Sequence, residues 1–377
     1  MRVDRVFLLV LDSLGAGEAP DADRFGDVGA HTLKSLHSTG ILNIPNLLTL
    51  GLGNIDGLEF LGGVEKPLAD VVRLTELSAD KDTTIGHWEI CGHVSSTPMP
   101  TFPNGFPKEI VDKLTSAWGR DMICNKPYSG TEVIADFGEE HMRSGKLIVY
   151  TSADSVLQIA AHTDIVPLDT LYEYCRQARE IMRGERYGVG RIIARPFDGE
   201  VGSFSRTADR RDFSITPPEG LLADKLLAAG LDVIAVGKIS DIFAGRGFSE
   251  SVHTHSNEEG MRACSEYACK DFHGLCFVNL VDFDTLWGHR RDAMGYAEGL
   301  NTFDRWLGGF IRNMRSTDML IITADHGCDP SFTKTTDHTR EYTPCIVYTP
   351  EMTPTNHGTK SGFYYVSEVV ERVLLSK

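Results

Sequence analysis

Met319-Leu320-Ile321-Ile322-Thr323-Ala324-Asp325-His326-Gly327 is an apolar run of strand length that ends on a carboxylate and an imidazole. A short, continuous apolar run of this kind reads as a strand buried on both faces. Two other runs repeat the pattern. Val6-Phe7-Leu8-Leu9-Val10-Leu11 delivers Asp12-Ser13, and Leu275-Cys276-Phe277-Val278-Asn279-Leu280-Val281 delivers Asp282-Phe283-Asp284, then Gly288-His289. Three buried strands that each deliver a carboxylate or histidine carry a desolvation penalty at every tip. A divalent metal offsets that penalty, and the number of ligands suits two.

Working outward, short apolar runs alternate with helix-like stretches, which predicts an α/β fold with a mostly parallel sheet flanked by helices. Strands are expected at 5–12, 231–237, 275–282, 319–324 and 344–348. Helices are expected at 32–38, 219–229, 258–271, 294–314 and 364–375. The middle of the chain differs. Pro98, Pro100, Pro103 and Pro107 crowd one stretch and Pro217-Pro218 closes another. Such punctuation marks boundaries. Between them lie strand-like runs at 147–150 and 191–195 and a helix near 168–183. The expected organisation is a discontinuous metal-binding core of residues 1–99 and 218–377, with a smaller α/β domain of residues 100–217 inserted in it.

The six candidate ligands are Asp12, Asp284, His289, Asp325, His326 and His338, the last within Thr336-Asp337-His338-Thr339-Arg340. Mixed carboxylate and imidazole sets suit Mn²⁺, Zn²⁺ or Fe²⁺ better than Ca²⁺. Two such ions roughly 3.5–4 Å apart can clamp the attacking and leaving oxygens of a phosphoryl group. Each residue also has a plainer reading: Asp12 as a helix cap, His289 beside Arg290-Arg291-Asp292 as part of a solvated loop.

A phosphoryl relay needs an acceptor oxygen. Lys81-Asp82-Thr83-Thr84-Ile85-Gly86-His87-Trp88-Glu89 offers one where a helix would start, with backbone N–H groups available to a phosphate. Thr83 and Thr84 compete for the role, with Ser13 behind them, and a simple cap at Asp82 or Thr83 would need no chemistry.

The chain holds 377 residues with a formal net charge of −16, which speaks against nucleic acid or a membrane surface as partner. Its eight cysteines form no Cys-x-x-Cys pair and read as reduced thiols. The first apolar run is too short for a signal peptide or a membrane span, so a cytoplasmic protein is expected.

Longer strings carry a resemblance. Val10-Leu11-Asp12-Ser13-Leu14-Gly15-Ala16-Gly17, the 81–89 stretch, the 150–160 stretch from Tyr150-Thr151-Ser152 to Ala160, Gly237-Lys238-Ile239-Ser240-Asp241-Ile242, Asn279 to Asp284, Gly288-His289-Arg290-Arg291-Asp292, and Thr323-Ala324-Asp325-His326-Gly327 together resemble the bacterial phosphopentomutases, a family of the alkaline phosphatase superfamily. The resemblance runs over nearly the whole chain. It implies an alkaline-phosphatase-like core with an inserted cap, and interconversion of ribose 1-phosphate and ribose 5-phosphate, and of the 2-deoxyribose pair. It further implies two Mn²⁺ ions, a phosphothreonine, and a hexose 1,6-bisphosphate or pentose 1,5-bisphosphate as activator.

By position, one metal would be held by Asp12, Asp325, His326 and the Thr83 oxygen, and the other by Asp284, His289 and His338. Thr83 aligns with the phosphorylated threonine. Asp154 falls where the family contacts the sugar, and Arg191, Arg206 and Lys238 fall at its phosphate-binding positions. The chain departs from the family at Ile85, where a second threonine is usual, at Cys328, where an asparagine follows the glycine, and in ending early, at Lys377. The ligand set alone also suits a phosphatase or sulfatase of the superfamily. A non-catalytic sugar-phosphate-binding protein is the other alternative. Pentose phosphates are the expected small-molecule partners, with a monomer as the default state.

Overall fold

The computed structural model describes residues 2–152 and 154–376; Ala153, within the 150–160 stretch quoted above, lies outside them. The chain divides into two compact units, Met1–Ser96 with Pro217–Lys377, and Thr97–Thr216. In chain order the strands of the described residues are β1 (Arg5–Leu11), β2 (Asp70–Thr75), β3 (Met122–Pro127), β4 (Leu147–Thr151), β5 (Val156–His162), β6 (Arg191–Asp198), β7 (Ser205–Arg206), β8 (Arg211–Ser214), β9 (Asp232–Val236), β10 (Glu250–Val252), β11 (Gly274–Leu280), β12 (Asp318–Thr323), β13 (Thr343–Tyr348) and β14 (Asn356–Ser361).

The larger unit is built on an eight-stranded sheet in the order β10-β9-β11-β1-β12-β13-β2-β14. Every residue of β1, β11 and β12 is buried, which is why their sequences are mostly apolar runs rather than alternating ones. Phe7, Leu9 and Leu11 belong to the same buried cluster as Phe303, Leu307 and Phe310 of the long helix Ala293–Arg312. The Phe7 and Phe310 rings meet edge to face at 5.3 Å.

β10, β9, β11, β1 and β12 are mutually parallel, so their carboxyl ends share one edge. In open α/β sheets that edge is where ligands bind. β13 breaks the pattern: it runs antiparallel to both β12 and β2. Its inversion has a purpose. The start of β13 lies at the same edge as the ends of β1 and β12, so the segment leading into it, with His338, arrives there. β2, inverted again, runs parallel to β12 and sends the chain back to that edge just before Thr83. The apolar run at 344–348 shows a strand in the sequence, but its direction is a property of the sheet.

The smaller unit holds a mixed sheet in the order β3-β4-β5-β6-β7, with β8 also paired to β6. One face is covered by the helices Lys108–Trp118 and Leu168–Ile181, whose Ile110, Leu114, Leu171 and Cys175 pack with Val149, Ile159 and Ile192. The other face meets the helix Glu132–Ser144 through Val133 and Ile134, against Tyr150 and Phe197.

Candidate metal centre and phosphoryl-transfer site

Asp12 follows β1 directly, and Asp325-His326 follow β12 after one residue. β1 and β12 are neighbours in parallel register, about 4.8 Å apart, so the three side chains converge. Their ligand atoms lie within 4.8 Å of one another. His326 Nε2 is 3.5 Å from Asp12 Oδ1 and 3.2 Å from Asp325 Oδ2.

A second group, Asp284, His289 and His338, is equally tight. Here the local structure is a π-helical turn, Phe283–Gly288, closed by His289 N–H donating to Asp284 O at 3.0 Å. The five-residue spacing that reads as a glycine turn in sequence is a wide helical turn. It sets Asp284 Oδ2 and His289 Nε2 3.3 Å apart. Such turns recur at functional sites. His338 Nε2 lies 3.5 Å from Asp284 Oδ1. The two groups abut, because the His326 and His338 rings stack at 3.8 Å.

Hydrogen bonds fix which ring nitrogen each histidine presents. His289 Nδ1 lies 2.7 Å from Thr336 O, His338 Nδ1 2.8 Å from Lys81 O, and His326 Nδ1 3.1 Å from Gly327 O. A carbonyl can only accept, so each Nδ1 carries a hydrogen and each Nε2 turns inward as the ligand atom. His289 and His338 then bring two Nε2 atoms to 3.1 Å. If both rings are neutral, two lone pairs face each other at that distance, and a proton or a metal cation between them relieves the repulsion.

The carboxylates show the same division. Asn279 Nδ2 donates to Asp12 Oδ2 at 2.9 Å, and Ser13 N–H donates to Asp325 Oδ1 at 3.1 Å. Among the described residues, Asp12 Oδ1, Asp284 Oδ1 and Asp325 Oδ2 are buried with no aligned hydrogen-bond donor. His87 Nδ1 does lie 3.2 Å from Asp325 Oδ2, but its hydrogen points to Thr83 O at 2.8 Å. Buried carboxylate oxygens with no aligned donor, set beside imidazole Nε2 atoms, are a donor set that fits divalent cations.

Burial, then repulsion from Asp325 and Asp284, raises the Asp12 carboxyl to about 7. Burial also opposes ionisation of Asp325, but the adjacent His326 and His87 prevail and hold it well below the usual range. His326 moves the other way: burial disfavours its charge, yet Asp325, Asp12 and Asp284 raise it well above an ordinary histidine. The Asp12 and His326 shifts both follow from packing three carboxylates and an imidazole into one buried site.

Thr83 is the first residue of the helix Thr83–Ile90, capped by Asp82, whose Oδ1 accepts from Thr84 N–H at 2.8 Å. Thr83 Oγ1 lies 3.0 Å from His326 Nε2. Thr84 is buried, and Ser13 Oγ is turned to Tyr296 Oη at 3.2 Å. Of the three hydroxyls weighed from sequence, Thr83 is the one set against the ligand cluster.

The remaining expected residues are placed as follows. Arg191 Nη2 is 3.5 Å from Asp154 Oδ2 in the smaller unit. Arg206 is not with them; it lies opposite Phe197, six residues along β6, with its Nε donating to Gly130 O at 3.0 Å. Lys238 follows β9 in the larger unit, and its charge eases ionisation of Asp12 and Asp282.

Sequence reasoning passed over His87, Asn279 and Arg291. His87 is one turn from Thr83, a spacing that could have flagged it. Asn279 sits inside an apolar run, where a buried amide needs a partner. Arg291 ties the approach to His338 together, donating to Asp329 O at 3.1 Å, Thr335 O at 3.0 Å and Asp337 O at 2.9 Å. Nothing local in the sequence signals those three carbonyls.

Comparison with known proteins gives the family. The model of the Metalloenzyme superfamily matches residues 4–373. The chain is 54% identical over 368 residues to the phosphopentomutase of Lachnoclostridium phytofermentans, covering 97% of this chain and 94% of that one. It is 49% identical over 373 residues to the phosphopentomutase of Clostridium novyi, covering 98% and 95%. Among solved structures the likeness is remote: 13% identity and a TM-score of 0.47 to Leishmania mexicana phosphoglycerate mutase, over 99% of this chain and 96% of that one. No helix among the described residues is long and apolar enough to cross a membrane. With curated relatives at this identity over nearly its full length, the chain is an enzyme that belongs to the phosphopentomutase family, within the metalloenzyme superfamily.

Proposed function

We propose that this enzyme interconverts ribose 1-phosphate and ribose 5-phosphate, and the corresponding 2-deoxyribose phosphates, through phosphothreonine at Thr83 and a 1,5-bisphosphate. The observation that carries the reading is the Thr83 hydroxyl, 3.0 Å from His326 Nε2 beside two abutting ligand groups. Asp12, Asp325 and His326 would hold one cation, with the Thr83 oxygen, and Asp284, His289 and His338 the other. Two Mn²⁺ ions are the proposed pair. When bound, they would supply charge stabilisation for in-line phosphoryl transfer.

The chain's own groups account for the rest. The anomeric hydroxyl of ribose 5-phosphate attacks phosphorus on phosphorylated Thr83. The bond from phosphorus to Thr83 Oγ1 breaks, the sugar hydroxyl gives up its proton, and the threonine oxygen gains one. The resulting 1,5-bisphosphate turns over, Thr83 Oγ1 attacks the 5-phosphate, and ribose 1-phosphate leaves. Each transfer moves one proton from the attacking to the departing oxygen, so the cycle balances. Arg191, Arg206 and Lys238 are the proposed phosphate contacts and Asp154 the sugar contact; a guanidinium fork grips phosphate through paired hydrogen bonds. Residues 1–99 and 218–377 would act as the metal-binding catalytic core and residues 100–217 as an inserted cap domain. A hexose 1,6-bisphosphate would first charge Thr83. Only water exclusion and retention of the bisphosphate separate this mutase from a phosphatase with the same ligands.

Thr83→Ala tests the reading. It is expected to abolish interconversion of the pentose phosphates, and intact-mass measurement should lose the 80 Da increment that a bisphosphate donor adds to the wild-type chain, a mass of about one phosphoryl group. Full activity in this variant would move the relay to another hydroxyl. Accumulation of free phosphate from ribose 1-phosphate by the wild type would instead favour a phosphatase.

A further inference from the structure

Strand alternation along β6 puts Arg191, Ile193, Arg195 and Phe197 on one face of the smaller sheet, while Ile192 and Ala194 pack into the opposite helical layer. Across the sheet Ile193 is paired with Gln158 of β5 and Asp212 of β8, and Gln158 with Tyr150 of β4. The same face therefore gathers Tyr150, Gln158, Arg195 and Asp212. Arg210, just before β8, joins them by donating to both oxygens of Asp212 at 2.8 Å.

The charge around Arg195 does not close. Arg210 has already taken Asp212. Arg195 Nε donates to the neutral Gln158 Oε1 at 3.1 Å, and Arg206 Nε to Gly130 O. Among the described residues, no carboxylate lies within ion-pair distance of Arg195 or Arg206. A Cβ at Gly130 would fall 1.8 Å from Arg206 Nη2 and 2.9 Å from Tyr150 Oη, so the absence of a side chain there lets those two groups share one spot. Tyr150 Oη is buried and has no partner among the described residues. Burial, then the charge of Arg210, presses Arg195 down to about 10. In a chain of net charge −16, three guanidiniums set against one carboxylate are a local surplus that a dianion would neutralise. The surplus is separate from the Arg191–Asp154 pair: four residues of strand put Arg191 and Arg195 about 13 Å apart at their Cα atoms.

We propose that Arg195, Arg206 and Arg210, with Tyr150, form a second phosphate subsite, so that a doubly phosphorylated sugar lies along this sheet face with one phosphate at the Arg195 end and the other toward Arg191. The identity of the ligand rests on the mutase reading above; Arg195, Arg210 and Tyr150 are new to the site. The subsite gives the 1,5-bisphosphate a resting place on the protein between the two transfers. A monophosphate can fill only one end.

The test uses the Mn²⁺-loaded, full-length enzyme. Calorimetric titration with glucose 1,6-bisphosphate and with ribose 5-phosphate compares wild type, Arg195→Met, Arg195→Lys and Tyr150→Phe, and circular dichroism confirms folding. Arg195→Met should weaken the bisphosphate tenfold or more and the monophosphate less than threefold, with partial recovery in Arg195→Lys. During turnover of labelled ribose 5-phosphate it should also release labelled bisphosphate into solution, which wild type retains. Tyr150→Phe, which removes only the hydroxyl, should show the same bias to a smaller degree and keeps the test open if Arg195→Met does not fold. Unchanged bisphosphate affinity in Arg195→Met and Tyr150→Phe, or equal weakening of both ligands, overturns the subsite. If wild type fails to interconvert the pentose phosphates yet Arg195→Met selectively loses the bisphosphate, the mutase reading falls and the subsite stands. If wild type interconverts them and the affinities do not separate, the subsite falls and the mutase reading stands.

Discussion

Asn279 and Ser13 decide which oxygen of each buried carboxylate is left bare, one through a side-chain amide and the other through its backbone N–H. Ser13 does so from a left-handed conformation, φ 72°, which also turns its hydroxyl to Tyr296. Asn279→Leu should leave Asp12 free to rotate away from the cluster. The expected outcome is a roughly 10- to 100-fold loss of metal affinity, measured by titration of the chelated protein, as is usual when the partner of a metal ligand is removed. Proton competition should be visible as well. In the metal-free protein Asp12 is raised from 3.8 to about 7, so below that pH it binds a proton that a metal must expel. Apparent metal affinity should therefore fall as the pH drops through about 7, with protons released on binding; a flat affinity between pH 8 and 6 would show that Asp12 is already ionised in the metal-free protein. At this scale the residues by themselves showed types and approximate positions and left the three hydroxyls level; it was the family resemblance that pointed to Thr83. Thr83, Thr84 and Ser13 carry the same chemistry, and only their backbone settings separate them.

The helix that begins at Thr83 is held close to the end of β12 by the absence of a side chain. A Cβ on Gly86 would come within 2.1 Å of Asp325 O, a backbone atom that cannot swing aside. Gly86→Ala should cost about 1–3 kcal/mol of stability through overpacking. It should also lower metal uptake, because Asp325 must shift; thermal melting read beside metal stoichiometry checks both. A variant with wild-type metal content would mean that the helix moves instead. The elements that hold the ligands were the legible ones, since β1, β11 and β12 are buried on both faces and write that fact as apolar runs. In the larger sheet β2, β10 and β14 were not found. β2 alternates buried and half-buried residues, and β14, at the sheet edge, is Asn356-His357-Gly358-Thr359-Lys360-Ser361, with no apolar residue to announce it. The π turn was also hidden, because a bond from residue 289 to residue 284 leaves no mark in composition.

Over the whole molecule, both ligand groups belong to the unit Met1–Ser96 with Pro217–Lys377. Ions that bind only the folded form stabilise that unit by mass action. Chelation should therefore lower the unfolding temperature of the larger unit and leave the Thr97–Thr216 transition in place, a separation that differential scanning calorimetry reads directly. A common shift of both transitions would show that the units unfold as one. The prolines that punctuate the chain near 98–107 and at 217–218 are a local signal, visible in the sequence. The inversion of β13 is not, since it depends on which strands become neighbours. That inversion has a consequence for biosynthesis. Asp12 emerges from the ribosome long before His338, and the 97–216 segment emerges between them. The growing polypeptide must carry its early carboxylates unneutralised until its last third has been made. Cofactor capture is then a closing event of maturation, open to the chain only after its last ligands have been made.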